Sequence, residues 1–311
     1  MRVSVIICAH NPRPDYLRRV LDALMVQTLS KELWELLLID NASKVKLADS
    51  WDLSWHSHAR HVREEELGLT PARVRGIREA QCELLVFVDD DCELDGHYLA
   101  QALQVAERHL ALGAWGGQCL PCFEQEPMEW TKPYWGHLTI RRFTKERWSN
   151  VSTDDECVPW GAGLCIRSCV AKAYLQRVEA DPLLNKLDRK GSQLLSCGDL
   201  DMALTACDLG FGVGIFPQLQ LNHLIPKNRI QEEYLLKVYE GHAYSSLIMN
   251  VRRGQAFAGR PIDPFRRFLG QTKRRFTMPA VTRRFFEARL NGQQKALEDI
   301  IKWGLNLPGP R

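Results

Sequence analysis

The chain has no run of roughly 18 apolar residues, the length a helix needs to cross a bilayer, so no membrane-spanning helix is expected. Its opening, MRVSVIICAHNP, holds an apolar stretch too short for a secretory leader, and charged residues follow soon after. Strong net charge is also missing. Against 41 Lys and Arg stand 38 Asp and Glu, leaving +3, too little by itself to imply a nucleic-acid partner. The ten cysteines are scattered, several inside expected strands or helices, where a thiol behaves as a small apolar group. Without a leader, a reducing cytoplasm is the expectation. Cys119 and Cys122 form a lone C-x-x-C with Cys165 and Cys169 further on; unsupported, that spacing reads as thiols rather than as structural zinc. What is present is an ordinary globular composition, 45% hydrophobic and 25% charged over 311 residues. That length suits one large α/β domain with an elaboration, or two domains.

The most informative stretch is ELLVFVDDDCELD, residues 83–95. Five apolar residues, Leu84 to Val88, are short and β-prone, as a strand buried on both faces should be. The run ends on Asp89, Asp90 and Asp91. Three adjacent carboxylates repel one another, and a divalent cation such as Mg²⁺ or Mn²⁺ removes the conflict. Ligands of open α/β sheets collect at the carboxyl ends of strands, which is where these acids fall. A solvated acidic turn is the alternative.

Elsewhere the chain alternates. RVSVIIC at residues 2–8 reads as a buried strand, Asp15 as the cap of a helix carrying Leu17, Val20, Leu21, Leu24 and Met25, and residues 36–39 as a second strand ending on Asp40-Asn41. Strand, helix and strand within forty residues make a βαβ unit and a parallel sheet. Residues 51–61 read as a loop or short edge strand; the spacing of His56, His58 and His61 fits no standard metal pattern. Glu64, Glu65 and Glu66 read as a solvated face. In GLTPARVRGIREA, Thr70 is the expected cap and Pro71 the first helical residue. Arg73 then falls in the first turn, against the helix dipole, which suits an anionic or carbonyl-bearing partner or a surface salt bridge. An amphipathic helix is expected over 97–112.

From 113 to 152 the pattern is weaker. Gly116-Gly117 suggests a bend, and Trp130, Tyr134, Trp135 and Trp148 suit either a carbohydrate groove or core packing. VPWGAGLCIR reads as a glycine turn entering a short strand. Gly161 and Gly163 there permit close approach of backbone to a ligand, or simply a tight bend. In SCGDLDMALTACDLG, Ser196 or Asp199 caps a helix with Leu200, Ala203, Leu204 and Cys207 inward, and Gly210 ends it. Asp199 and Asp201 sit at its N-terminus, where the dipole favours ionised carboxylates able to accept a hydroxyl proton, or only to cap. Residues 213–216 read as a short strand, and LQLNHLIP follows, with His223 among apolar neighbours.

These pieces, in this order, resemble the family 2 glycosyltransferases with the GT-A fold. VSVIICAHNP looks like their opening strand, IDNAS like the uracil-side loop, GLTPARVRGIREA like the Arg-bearing helix and FVDDDCELD like the DxD element. PWGAGLCIR looks like the acceptor-side turn, and CGDLDMALTACDLGFGVGIFP like the acidic helix; the match runs roughly over residues 2–225. The resemblance implies a Rossmann-like mixed α/β sheet flanked by helices and an inverting hexosyl transfer. The donor would be a nucleotide sugar, uridine-linked by the uracil-side loop, and the acceptor a glycan or lipid-linked glycan of polysaccharide biosynthesis. Ala9, His10 and Asn11 would line the nucleotide pocket, Asp40 accept from the base N–H, and Arg73 contact base or pyrophosphate. Asp89 and Asp90 would face the nucleotide sugar. Asp91, with His223, would hold Mg²⁺ or Mn²⁺ across the diphosphate, and Asp199 would be the general base. Gly198 stands where the family often has Glu, so Asp201 remains a second candidate base. Cys8-Ala9-His10 likewise departs from the family's usual opening.

The expected organisation is a nucleotide-sugar half over 1–112, an acceptor half of the same domain over 113–225, and a basic helical extension over 226–311. In the extension a helix over 230–249 carries Tyr234, Leu235, Val238, Tyr239 and Leu247 on its apolar side. Arg252, Arg253, Arg260, Arg266, Arg267, Lys273, Arg274, Arg275, Arg283, Arg284 and Arg289 then interleave with Phe257, Phe265, Phe268, Leu269, Phe276, Phe285 and Phe286. That pattern suits an anionic membrane surface on the cytoplasmic face, or a solvated and partly packed tail. Nucleic acid is not expected. A nucleotidyltransferase would want a glycine-rich phosphate loop after the first strand, which CAHNPRP lacks. A non-catalytic nucleotide- or sugar-binding subunit is the other alternative.

Overall fold

The computed structural model describes every residue except 154–155, 182, 185–187, 192–193, 256–274, 276 and 306–311. Two compact units result, one of residues 1–185 and 198–227, the other of 186–197 and 228–311. Segment 186–197 thus groups with the C-terminal helices rather than with 113–225.

The first unit is built on strands β1 (Val3–Ala9), β2 (Trp34–Asn41), β3 (Ala59–Glu64), β4 (Leu84–Asp89), β5 (Cys92–Leu94), β6 (Leu112–Phe123), β7 (Arg147–Ser149), β8 (Cys165–Arg167) and β9 (Gly212–Ile225). They form one mixed sheet in the order β3-β2-β1-β4-β8-β6-β9-β5, with β7 on β9. β3, β2, β1 and β4 run parallel; β8 is antiparallel to β4 and β6, and β5 is antiparallel to β9. The helices are α1 (Pro14–Met25), α2 (Leu69–Glu79), α3 (Tyr98–Arg108), α4 (Ser168–Ala180) and α5 (Gly198–Asp208).

The continuous apolar runs of β1, β2 and β4 follow from burial on both faces. Val3, Val5 and Ile7 join a core with Leu17, Val20 and Leu24 of α1 and Leu99 of α3. Ile6, alternating to the other face, lies against Gly76 of α2. Each such aliphatic side chain contributes about 1.5–3 kcal/mol of burial. The parallel register then aligns the strand ends, setting Ala9 beside Asp40 and Cys8 beside Asp89.

Several local expectations are corrected. Arg13, not Asp15, occupies the cap position of α1, with Pro14 as its first residue; Asp15 binds Arg13, and Met25 is exposed. α2 begins two residues early, on Gly68 at φ 146°, leaving Thr70 fully buried inside the first turn. α3 stops at Arg108 because Leu112 already belongs to β6. β6 itself is hidden in the sequence, since its twelve residues include two adjacent glycines and a proline. Those glycines mark a register shift against β9 rather than a bend; a Cβ on Gly117 would sit 1.8 Å from the Leu219 carbonyl oxygen. The strand expected over 213–216 is only the start of β9, which continues through Pro217 to Ile225. In α5 the buried apolar face is Met202, Ala203, Leu204 and Ala206, while Leu200 and Cys207 are half-buried.

In the second unit, α6 (Glu232–Arg252) packs on α7 (Ala280–Lys302). The helices run parallel: Glu232 meets Arg284, Tyr239 meets Phe285, Glu240 meets Lys295 and Tyr244 meets Asp299. Phe285 is therefore buried in a helix pair rather than displayed to a membrane. The middle of the interleaved pattern, from Phe257 to Arg274 and Phe276, lies outside the described residues. No helix among the described residues is long and apolar enough to cross a membrane, and no disulfide joins the described cysteines.

Candidate active site

At the carboxyl end of β1 the chain turns through His10 and Asn11, the latter at φ 46°, a conformation Asn tolerates better than most residues. Asn11 is clamped to the loop after β2: its N–H donates to Ser43 Oγ at 2.9 Å, and its Oδ1 accepts the Lys44 N–H at 2.9 Å. His10 Nδ1–H donates to the Asn41 carbonyl at 2.6 Å, which leaves Nε2 to accept from Asn11 Nδ2 at 2.8 Å. Ala9 is buried between these partners' strands. The two loops thus form one hydrogen-bonded rim.

Asp40 organises that rim from below. Its Oδ1 accepts the Ser43 N–H at 3.0 Å, and its Oδ2 accepts the Leu47 N–H at 3.0 Å and Arg63 Nη1 at 2.7 Å. Burial alone would raise its pKa, but the Leu47 amide, Ser43 and Arg63 together hold it below the usual carboxylate range. The carboxylate expected to accept from a base N–H is buried and also holds its own loop and Arg63. Arg63 escaped sequence reading because only the β2–β3 register brings it opposite Asp40.

At the end of β4, Asp89 and Asp90 are half-buried, while Asp91 is buried. β5 starts at the next residue, and its register sets Cys92 opposite His223 of β9. His223 Nε2 consequently lies 3.5 Å from Asp91 Oδ2. His223 Nδ1–H donates to the Leu138 carbonyl at 2.9 Å, so the lone pair of the neutral ring sits on Nε2, facing Asp91. Asp91, Cys92 and His223 offer ligand atoms within 4.8 Å of one another. Burial pushes the Cys92 thiol up, and the thiol donates to Asp91 Oδ1 at 3.5 Å. A carboxylate oxygen and a pre-oriented imidazole nitrogen form a donor set that a divalent cation fits, the mixed O/N pair suiting Mn²⁺ at least as well as Mg²⁺.

The third component comes from α5 and the turn before β8. Asp199 Oδ2 accepts the Gly161 N–H at 2.6 Å. A Cβ on Gly161 would meet Arg73 Nη2 at 2.8 Å and Asp199 Oδ2 at 2.9 Å, so both side chains converge on this glycine. Arg73 is buried, not a surface salt bridge as one reading had it. Asp201, two residues along α5, is 1% exposed and accepts from Arg177 Nε at 3.3 Å. The two candidate bases are thereby distinguished: Asp199 is half-buried beside Arg73, and Asp201 is a buried ion-pair partner. The close approach permitted by Gly161 is to the Asp199 carboxylate. No sequence signal pointed to the Leu138 carbonyl.

A mixed sheet of this order, with acids closing the central strand, defines the GT-A class of α/β folds. The S. aureus TarS 1–349 crystal structure superimposes with a TM-score of 0.54 at 12% identity, covering 98% of this chain and 92% of that one. TarS 1–349 in complex with UDP-GlcNAc matches with a TM-score of 0.53 at 13% identity. The family model for glycosyl transferase family 2 matches residues 4–171, and the chain belongs to that family. Among curated relatives, N-acetylgalactosaminyltransferase 7 of Drosophila melanogaster is 33% identical over 107 residues, 33% of this chain and 18% of the relative. Glycosyltransferase AglE of Haloferax volcanii is 28% identical over 104 residues, 32% of this chain and 34% of the relative. The alignments therefore span about a fifth to a third of those curated proteins.

Proposed function

We propose that the protein is an inverting glycosyltransferase that moves a sugar from a uridine-diphosphate donor to a hydroxyl of a glycan or lipid-linked glycan. The observation that carries the reading is the meeting of Asp91 and His223, 3.5 Å apart at the end of the central strand. The TarS complex with UDP-GlcNAc and the family membership support a nucleotide-sugar donor.

Asp91 Oδ2 and His223 Nε2 would hold Mg²⁺ or Mn²⁺, which when bound supplies Lewis-acid stabilisation to a departing diphosphate. The rim of His10 and Asn11 borders the nucleotide, and Asp40 with Arg63 keeps that rim in shape. Asp89 and Asp90 face the sugar and its phosphates. Arg73, buried at Gly161, sets a fixed positive charge beside Asp199. The Gly161 N–H pins Asp199 Oδ2, so Oδ1 takes the proton from the acceptor hydroxyl as the oxygen attacks the anomeric carbon. Attack opposite the leaving group inverts that carbon. Asp201, tied to Arg177, shapes α5 and takes no proton.

The test is UDP release from a panel of UDP-sugars with Mn²⁺ present, for the native protein and for Asp91→Ala and Asp199→Ala. Both substitutions should abolish turnover, while Asp199→Ala retains UDP binding in a thermal-shift assay. A native protein that neither binds UDP nor releases it would overturn the reading. A binding subunit would retain UDP affinity and have no turnover.

A further inference from the structure

The segment of residues 129–142 touches the candidate site at His223 and borders the turn that carries Gly161. Its Leu138 carbonyl fixes His223, and its Arg141 pairs through the backbone with Cys119 of β6, each N–H donating at 3.0 Å. The Arg141 guanidinium donates to the Val158 carbonyl at 2.7 Å and also to the Glu156 carbonyl, and it lies 4.9 Å from the Trp160 ring centroid. Trp160 adjoins Gly161, which seats Asp199. One wall thus links the Asp91–His223 pair to the base.

That wall carries a cavity of about 640 Å³ whose lining includes Phe123, Lys132, Trp135, Ile140 and Arg142. Phe123 and Trp135 pack with ring centroids 5.3 Å apart, and both are half-buried rather than in the core. Trp135 Nε1–H donates to Thr131 Oγ1 at 3.0 Å, which fixes the indole and leaves its face as a contact surface. Lys132 and Arg142 are exposed at the cavity; Lys132 pairs with Glu129 at 2.7 Å, an exposed pair worth little in water. Apolar ring faces suit the C–H face of a pyranose, and two cations suit anionic oxygens.

We propose that this cavity is the acceptor subsite and that it selects a sugar chain bearing acid groups. Trp135 and Phe123 take a sugar ring, and Lys132 with Arg142 take the anionic oxygens of a neighbouring unit, carboxylate or phosphodiester. This rests on the transfer reading, because an acceptor must lie alongside Asp199. A neutral glycan would use the ring contact alone.

The experiment titrates the full chain by calorimetry with three oligosaccharides of equal length: a galacturonic acid tetramer, a phosphodiester-linked hexose tetramer and a neutral glucose tetramer. At least one acidic tetramer should bind about tenfold or more tighter than the neutral one, as charge-assisted hydrogen bonds of ordinary strength give, and should weaken as salt is raised. Whichever acid binds more tightly identifies the acceptor's anion. The double substitution Lys132→Glu with Arg142→Glu should remove the preference. Trp135→Leu should weaken all three ligands together, and melting curves establish that each variant is folded. Equal affinity for acidic and neutral tetramers, or a preference that survives the charge reversal in a folded protein, would overturn the proposal. An intact preference in a protein that turns over no nucleotide sugar would instead overturn the transfer reading and support the charge selectivity of the cavity.

Discussion

The two halves of the sheet handle polar groups in opposite ways. In the parallel half, β3-β2-β1-β4, each buried acid is answered by several donors at once. Glu35 takes Ser4 Oγ at 2.6 Å and the Gln81 N–H at 2.7 Å, and Asp40 takes two amides and Arg63. In the mixed half, β8-β6-β9-β5, single backbone groups hold reactive side chains in position: the Gly161 N–H holds Asp199, and the Leu138 carbonyl holds His223. The first half stores stability around the proposed nucleotide rim. The second sets the geometry of the proposed chemistry. Substitutions should separate the two quantities, and each prediction below can break that division.

The largest effect is expected in the mixed half. Asp199→Asn preserves the side-chain shape and removes the proposed base, so kcat for sugar transfer should fall roughly 10³-fold, the range for a lost general base, with the melting temperature nearly unchanged. Asp201→Asn is the control. It should destabilise the fold through the Arg177 pair, whose carboxylate is buried, while leaving kcat within a few-fold. If the two variants exchanged phenotypes, the assignment of the base would be wrong.

Next comes the parallel half. Asp40→Asn puts an amide N–H in place of one carboxylate oxygen, leaving either the Ser43 amide or both the Leu47 amide and Arg63 without their acceptor. Unfolding in urea should show a loss of about 3 kcal/mol, mostly the penalty of the orphaned donor. A variant of unchanged stability with sharply weaker UDP binding would place Asp40 in direct contact with the base instead.

The parallel half was also the more legible from sequence, for a physical reason. Three of its strands, β1, β2 and β4, are short apolar runs, with Asp40 next to the end of β2 and Asp89 at the end of β4. β6 and β9 were obscured because each crosses an irregularity, Gly116-Gly117 in one and Pro217 in the other, and their pairing joins residues about a hundred apart. The site's acids could be read as types, Asp91 from charge and Asp199 from the dipole, whereas His223 entered only through the family resemblance. Their partners could not. Leu138 contributes only a carbonyl, and Arg63 meets Asp40 only once the strand register is known. Cap positions failed for a related reason: Gly68 and Arg13 offer no side-chain acceptor, and packing on the sheet set the helix starts instead.

A smaller effect sharpens the mixed half. Gly161→Ala places a methyl group where Arg73 Nη2 and Asp199 Oδ2 now converge, 2.8 and 2.9 Å from the new atom. The side chains must give way, and a displacement of a few tenths of an ångström at the base should lower kcat about 30-fold, as misplacement of a catalytic group does. UDP binding, measured by thermal shift, should hardly change. A variant that loses stability and keeps its rate would show that the glycine serves folding.

The smallest effect returns to the parallel half and depends on pH. His56 is buried beside Trp34, with ring centroids 4.1 Å apart, and its Nδ1 accepts the His58 N–H at 3.2 Å. Burial first, then the nearby Lys31 and His58 charges, lower its pKa to about 4, against a weaker opposing pull from Glu32. The unfolded chain takes up this proton below the ordinary histidine value of about 6.5, whereas the folded chain refuses it until near 4. Stability is therefore unaffected by this group above that range and is lost as pH falls through it. The loss should reach about 1–2 kcal/mol between pH 7 and pH 5. His56→Phe keeps an aromatic ring against Trp34 and cannot titrate. The difference in unfolding free energy between the native protein and this variant should shift by that amount across the interval, while kcat keeps the same pH profile in both. A difference that stays flat would mean that His56 is hydrated and titrates normally, and that the parallel half has a weak point open to water.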